Sequence, residues 1–360
     1  MQHFCYNLIK KFKGGEYMAY YDGTKLLSLS DIDGNKPEIY MVTTNRTGGK
    51  TTYFGRMFIN AFKKRGEKFA ILYRFKYELD DCAEKFFKDI GSLFFQGSKF
   101  ESKCKAHGVY HELFFDGESC GYAIALNSAD MIKRLSHLFS DVERILFDEF
   151  QSETNHYCDN EVNKLQSIHT SIARGQGKQV RYVPVFMLAN TVSIINPYYV
   201  AMGISERLDD KTKFLRGQGY VVEQGFVDSA SKAQQESGFN KAFSRGDYLA
   251  YSTQCIYLND NKAFIEKPKG NSRYLGTLRY KNCEYGVREF TDLGVIYCDD
   301  KPDTTFKNKI SVTTDDHTIN YVMLKRNDLF IENLRYFFDR GCFRFKDLKC
   351  KEVIMKTISY

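Results

Sequence analysis

The sequence contains no tryptophan, no cysteine pair at C-x-x-C spacing and only five prolines in 360 residues. Aromatic mass comes instead from 30 Phe and 25 Tyr. With 43% hydrophobic and 27% charged residues, the composition excludes a disordered or collagen-like chain. One stretch free of charge, Tyr182 to Ser205, is interrupted by Asn190, Thr191, Ser193, Asn196 and Pro197. A lipid-facing helix would hold those groups at a cost, so the stretch reads as buried core and no membrane association is expected. His156-x-Cys158 could supply half a metal site but lacks a second pair at ligand spacing, and the ten cysteines read as reduced thiols. The residues from Met1 onward reach Lys10, Lys11 and Lys13 without the apolar segment and cleavage site of a signal peptide. Neither sign of charge dominates: 52 Lys and Arg against 45 Asp and Glu leave +7, which permits a polyanionic partner without requiring one.

Periodicity divides the chain. Glu38–Thr44, Phe69–Leu72, Ile145–Phe147 and Val183–Leu188 are short apolar runs of strand type. Between them lie helical patterns: one from about Thr52 with Phe54, Met57, Phe58, Ala61 and Phe62, closed by Lys63-Lys64-Arg65-Gly66, and one capped at Asp159 or Asn160 with Val162, Leu165, Ile168 and Ile172. Strands separated by helices imply an α/β unit with a mainly parallel sheet. Asp228–Gly246 is polar and helix-like. Beyond it come closely spaced strand candidates at Ile256–Leu258, Ala263–Glu266, Arg273–Tyr280 and Val295–Cys298, hairpin chemistry at Asn259-Asp260-Asn261, and a helical stretch over Asp328–Phe338. The expected organisation is an α/β unit over 1–227, a linker over 228–255 and a smaller α+β unit over 256–360.

Four motifs carry chemistry. Thr44-Asn45-Arg46-Thr47-Gly48-Gly49-Lys50-Thr51, followed by Thr52, stands between a strand and a helix. Small residues let backbone N–H groups approach phosphate oxygens, a lysine bridges the terminal phosphates and a hydroxyl meets Mg²⁺. Thr44 takes the place of the usual leading glycine. Arg144 to Phe150 is an apolar strand ending in Asp148-Glu149, where an aspartate can hold Mg²⁺ and the adjacent glutamate can polarise the attacking water. Together the two motifs point to ATP hydrolysis. Asn190 closes a third strand and either reads the γ-phosphate, holds the lytic water or merely terminates the strand. Arg174, after the helix bearing Ile172, either offsets the helix dipole or acts as an arginine finger on a neighbouring subunit's nucleotide.

On these residues the chain resembles the DNA-packaging (encapsidation) ATPases of phi29-like tailed phages, relatives of large terminase subunits. The stretches most like that family are Gly66-Glu67-Lys68-Phe69 with Arg74 and Lys76, Phe147 to Phe150, Asn190 with Val192-Ser193 and Asn196-Pro197-Tyr198, Phe264-Ile265-Glu266-Lys267, and Thr313-Thr314-Asp315-Asp316. The resemblance implies an ATP- and Mg²⁺-dependent ring, a pentamer, seated on the portal of a procapsid in the host cytoplasm. It would thread double-stranded DNA inward with a packaging RNA as partner. It assigns Lys50 and Thr51 to phosphate and Mg²⁺, Asp148 to the metal, Glu149 to catalysis, Arg46 to nucleotide sensing and Arg174 to the trans finger. Lys76 and Lys133 fall on basic positions acting across the subunit interface. The second unit is expected to be RNase H-like without nuclease activity, because Arg273–Arg279 carries no carboxylate and Asp299, Asp300, Asp303, Asp315 and Asp316 lie elsewhere. It would dock to the portal and the RNA. From Tyr321 to Tyr360 there are nine basic residues against five acidic, suited to a phosphate backbone or to an ordinary solvated face. An active nuclease, or a nucleotide-switched binding module that is not a motor, are the alternative readings. Tyr17, Tyr20 and Tyr21 are candidates for contact with the adenine.

Overall fold

The structure, a computed structural model, describes residues 20–208, 212–243, 251–253, 257, 260, 263–325 and 328–358, with the side chains of 81–85 excepted. Its first unit is built on nine strands: β1 (Ile39–Thr44), β2 (Lys68–Tyr73), β3 (Phe100–Lys105), β4 (Tyr110–Phe115), β5 (Glu118–Ala125), β6 (Val142–Asp148), β7 (Val185–Asn190), β8 (Phe214–Gly217) and β9 (Tyr220–Gln224). They lie in the order β3-β4-β5-β2-β6-β7-β1-β9-β8. The six strands from β5 to β9 are parallel, and antiparallel pairs close both edges.

The parallel strands are apolar on both sides because both faces are covered. Along β1, Tyr40 and Val42 join a cluster with Phe54, Phe58 and Phe62 of the helix Lys50–Arg65, while Met41 joins the opposite cluster with Leu165, Ile168 and Ile172 of the helix Glu161–Ala173. Gly66 ends the first of these helices at φ 67°, donating its N–H to Phe62 O at 2.7 Å. Two differences from the sequence reading have local causes. β7 begins at Val185 rather than Val183, since Pro184 has no N–H for the ladder. The β3–β4 hairpin, with exposed polar residues on an edge strand, has too little apolar alternation to be recognised in advance.

Helices Asp228–Glu236 and Gly238–Ala242 lead into the second unit. Its sheet, in the order β14-β13-β10-β11-β12-β15, contains β10 (Arg273–Tyr280), β11 (Cys283–Phe290), β12 (Val295–Asp299), β13 (Lys309–Ser311), β14 (Val322–Met323) and β15 (Phe343–Phe345). β10, β11 and β12 form an antiparallel meander. β13 runs parallel to β10 on its other side, and β14 parallel to β13. Lys281 and Asn282, both at positive φ, make the two-residue β10–β11 turn. The strand expected at Ala263–Glu266 is a single bridge from Phe264 to Phe345, because its partner β15 is three residues long. Of Ile256–Leu258 and Asn259–Asn261 only Tyr257 and Asp260 lie within the described residues. The final helices are Leu329–Asp339, capped by Asp328 accepting from Phe330 N–H at 2.8 Å, and Leu348–Ile358.

The two units share a core: Ile195 and Val200 pack in the cluster of Leu278, Val287, Ile331 and Val353. Lys351, on the last helix, is buried in an ion pair with Asp260 and donates to Ser193 Oγ at 2.8 Å.

Candidate nucleotide-hydrolysis site

Parallel strands deliver their C-terminal ends to one edge, and β1, β6 and β7 are adjacent. Thr44 pairs with Asn190 and Asp148 with Leu188, so the three loops following these strands open on the same cleft. The loop after β1 turns through Thr47 at φ 60° and Gly49 at φ 87° into the first turn of Lys50–Arg65, leaving that helix's N-terminal amides without a side-chain cap. Uncapped N–H groups and the positive end of the helix dipole attract phosphate. A side chain at Gly48 would meet Thr44 Oγ1 at 3.1 Å and Val227 Cγ2 at 3.0 Å, so a larger residue there would press on the loop.

Lys50 is buried, and its Nζ donates to Thr44 Oγ1 at 2.8 Å and to Asn190 Oδ1 at 3.2 Å. The departure at Thr44 thereby has a structural role: its hydroxyl receives the Lys50 ammonium. Thr51 Oγ1 donates to Asp148 Oδ2 at 2.7 Å. These two hard oxygens, side by side next to the glycine-containing loop, would suit Mg²⁺, which would supply charge neutralisation there. Burial raises the Asp148 pKa, against the opposing hydrogen bond from Thr51 and the charge of Lys50. Thr52 is half-buried in the same helical turn.

Glu149 follows at φ 55°, in the left-handed region, its N–H held by Asp148 Oδ1 at 3.0 Å. That strained turn separates the two carboxylates, one toward Thr51 and one into the cleft. Desolvation by the cleft walls, then the charges of Asp148 and Glu153, raise the Glu149 pKa, the direction a general base needs. The cleft beside it encloses about 280 Å³ and includes Arg46, Arg74, Gln151, Glu153 and Asn190 in its lining. Arg46 Nη1 donates to Glu153 Oε1 at 2.9 Å, and Asn190 Nδ2 to the same oxygen at 3.4 Å.

Lys50, Thr51, Asp148, Glu149, Asn190 and Arg46 are thus brought together. Arg174, Lys76 and Lys133 are not. Arg174 ends the helix that runs back from the cleft, and its Nη2 donates to Ser136 Oγ at 2.7 Å. Nearby, Arg181 donates to the carbonyls of Val142 and Ile172, which puts this corner at the N-terminal end of β6. A helix of 13 residues carries Arg174 about 20 Å from the catalytic edge. It is exposed there, as is Lys133 on the neighbouring helix Ala129–Arg134. Lys76 Nζ donates to the carbonyl of His107 at the β3–β4 turn, 2.9 Å away. Tyr20 is exposed over Gly49, whereas Tyr21 is buried, donating its hydroxyl to Glu223 at 2.7 Å, and Tyr17 lies outside the described residues.

Two groups had no assigned role in the sequence. Glu153 stands in a polar loop with no periodicity to mark it. Arg74 is buried: its Nε donates to Glu161 at 2.8 Å, and its Nη2 to the carbonyls of Glu149 and Phe150 at 3.2 and 3.0 Å. A cation just past a strand end was the available signal.

The chain is 27% identical over 345 residues to the DNA packaging protein of Bacillus phage phi29, covering 95% of this chain and 96% of that one. It is 28% identical over 318 residues to the DNA packaging protein of Bacillus phage B103, covering 87% and 92%. In fold it matches a chain of the bacteriophage phi29 genome packaging motor assembly with a TM-score of 0.53 at 24% identity, covering 93% of this chain and 96% of that one. A phi-28 gp11 DNA packaging motor chain matches with a TM-score of 0.55 at 17% identity, covering 95% and 98%. The family model of the podovirus DNA encapsidation protein (Gp16) matches residues 16–359, and the chain belongs to that family.

Proposed function

We propose that the chain is the ATP-hydrolysing subunit of a ring that drives double-stranded viral DNA into a procapsid. The observation that carries this reading is the split between the two edges of one sheet: six reactive side chains converge at the cleft, and Arg174 stands exposed at the other edge. A site whose finger lies about 20 Å away across its own domain is completed by a neighbour. Loop amides and Lys50 receive the phosphates, Thr51 and Asp148 hold Mg²⁺, and Glu149 takes the proton of the attacking water. Bound Mg²⁺ supplies charge neutralisation of the phosphate oxygens. Arg174 from the next subunit stabilises transition-state charge.

The second unit is proposed as an RNase H-like docking domain for the portal and a packaging RNA. Its meander β10–β11–β12 with β13 and β14 parallel on the far side supports that fold. β10 bears no carboxylate, Asp299 is bonded to Arg288, Asp300 to Lys346, and Asp303 accepts from Thr305, which favours docking over cutting. A pentameric ring acting in the host cytoplasm belongs to the same proposal; among the described residues no helix is long and apolar enough to cross a membrane.

The test is steady-state ATP hydrolysis by the purified chain, with and without double-stranded DNA and empty capsids, beside Glu149→Gln. Turnover that rises with DNA or capsids and vanishes in the variant is expected. ATP bound without turnover under every condition would refute the motor.

A further inference from the structure

The segment between the two units is bonded to each nucleotide loop. Asn45, in the phosphate loop, exchanges two hydrogen bonds with the backbone of Val227, at 2.8 and 3.1 Å. Gln234 Nε2 donates to Thr47 Oγ1 at 3.3 Å. Asp260 accepts from the N–H of Ile194, four residues past Asn190, at 2.8 Å and pairs with Lys351 of the second unit. The contact nearest the chemistry is Tyr251, a fully buried side chain whose hydroxyl donates to Glu153 Oε1 at 2.7 Å. Residues 251–253, which are helical, are tied back to the helix Asp228–Glu236 by Ser231 Oγ, which donates to Thr253 O at 2.8 Å.

Resting on the ATPase reading, we propose that Glu153 is a positioning residue that reports occupancy of the γ-phosphate position to the linker through Tyr251. Its carboxylate accepts from Arg46, Asn190 and Tyr251 together. Two of these donors, Arg46 and Asn190, line the cleft that the terminal phosphate enters. A phosphate oxygen is a competing anionic acceptor for the same guanidinium. Arg46 and Glu153 have side chains 41% and 34% exposed, so their pair is a weak, water-screened one that a phosphate can displace. Once Arg46 turns to phosphate, Glu153 keeps its negative charge beside a second anion and without its cation. It moves away, and the Tyr251 hydroxyl loses the acceptor that fixes its turn. ATP therefore binds the displaced state more tightly than the latched one, and by linkage the linker's position alters ATP affinity equally.

Three measurements on the full-length chain test this. Binding of a non-hydrolysable ATP analogue should tighten by about fivefold or more in Glu153→Gln, which keeps the shape and removes the charge. Amide exchange at 251–253 should accelerate when the analogue binds the wild-type chain, and should already be fast in nucleotide-free Tyr251→Phe. Tyr251→Phe should keep the wild-type kcat for DNA-independent hydrolysis, bind the ATP analogue more tightly as Glu153→Gln does, and package less DNA per ATP, a split that a loss of folding would not produce. Unchanged analogue affinity in Glu153→Gln, exchange at 251–253 indifferent to nucleotide, or wild-type DNA per ATP in Tyr251→Phe would each overturn the proposal. A wild-type chain that binds no nucleotide would instead overturn the ATPase reading itself.

Discussion

Arg74→Met is the perturbation whose consequences the structure specifies most fully. The arginine's side chain is 9% exposed and that of Glu161 1%. Burial alone would lower the Arg74 pKa, but the Glu161 carboxylate beside it more than offsets this and leaves it raised above the ordinary range. Methionine retains most of the volume and removes the charge. Glu161 keeps the N–H of Cys158 at 2.8 Å and the hydroxyl of Tyr198 at 2.7 Å, but loses its cation. Breaking a buried pair from one side costs about 3–5 kcal/mol. The carbonyls of Glu149 and Phe150 also lose their donor, and an unsatisfied buried acceptor costs about 1–3 kcal/mol. These terms overlap, so about 4 kcal/mol is the expected loss by urea unfolding. A second variant, Arg74→Met with Glu161→Gln, removes both charges and should recover at least about 1.5 kcal/mol of it, since contacting residues couple at that scale. ATP turnover should fall in both variants, because Glu149 at φ 55° loses the group bonded to its carbonyl. A single-variant loss below about 1 kcal/mol, or a double variant equal to the sum of two singles, would refute this account of Arg74.

Gly49→Ala places a Cβ at φ 87° and 3.0 Å from Tyr20 Cδ1; a left-handed alanine costs about 1–2 kcal/mol. Nucleotide affinity should therefore fall by roughly tenfold, and titration calorimetry showing wild-type affinity would contradict the role given to this loop. Neither Arg174→Ala nor Glu149→Gln should hydrolyse ATP alone with capsids, yet a mixture should regain turnover at interfaces pairing an intact Glu149 with an intact Arg174. A mixture as inactive as its components would place both groups in one subunit. Burial pushes the thiols of Cys120 and Cys158 up to about 12, so both stay protonated and closed to alkylation at pH 8, while exposed Cys104 and Cys283 react. Mass mapping before and after denaturation distinguishes the two pairs; early labelling of Cys158 would argue against its burial.

The parallel sheet was readable because buried strands such as Met41–Val42 and Ile145–Phe147 must be apolar on both sides, and because Phe54, Phe58 and Phe62 repeat at helical spacing. That Lys50, Thr51, Asp148 and Glu149 would lie together was readable, because a glycine-rich strand-to-helix loop and a strand ending in two carboxylates mark residue type and place alike. Glu153 and Tyr251 were not, since their meaning is a contact between residues 98 apart in the chain. Neither has a neighbour pattern that announces it. Asp260 is a similar case: a turn-forming residue by its flanks, it instead spends its carboxylate on Ile194 and Lys351. Thr44 departed from the expected pattern, and its hydroxyl turned out to hold Lys50.

The two buried arginines at the ends of the helix Glu161–Ala173 explain how one subunit could serve two sites. At its start, Arg74 joins Glu161 to the carbonyls of Glu149 and Phe150. At its end, Arg181 Nη2 donates to the carbonyl of Ile172, one of the helix's terminal carbonyls, and to that of Val142 at 2.9 and 3.1 Å. Both cations are favourable where they stand: the first neutralises a buried carboxylate, and the second faces the negative end of the helix dipole. Between them Leu165, Ile168 and Ile172 are packed against the sheet, leaving the helix no freedom to flex independently of it. A helix pinned at both ends moves as a body. In the proposed ring, any shift of the Glu149 turn on phosphate release would then be felt at Arg174, the next residue after the helix, which would face the neighbour's nucleotide. Coupling between neighbouring sites of the proposed ring would in that case rest on a rigid element inside each subunit rather than on a flexible loop between subunits.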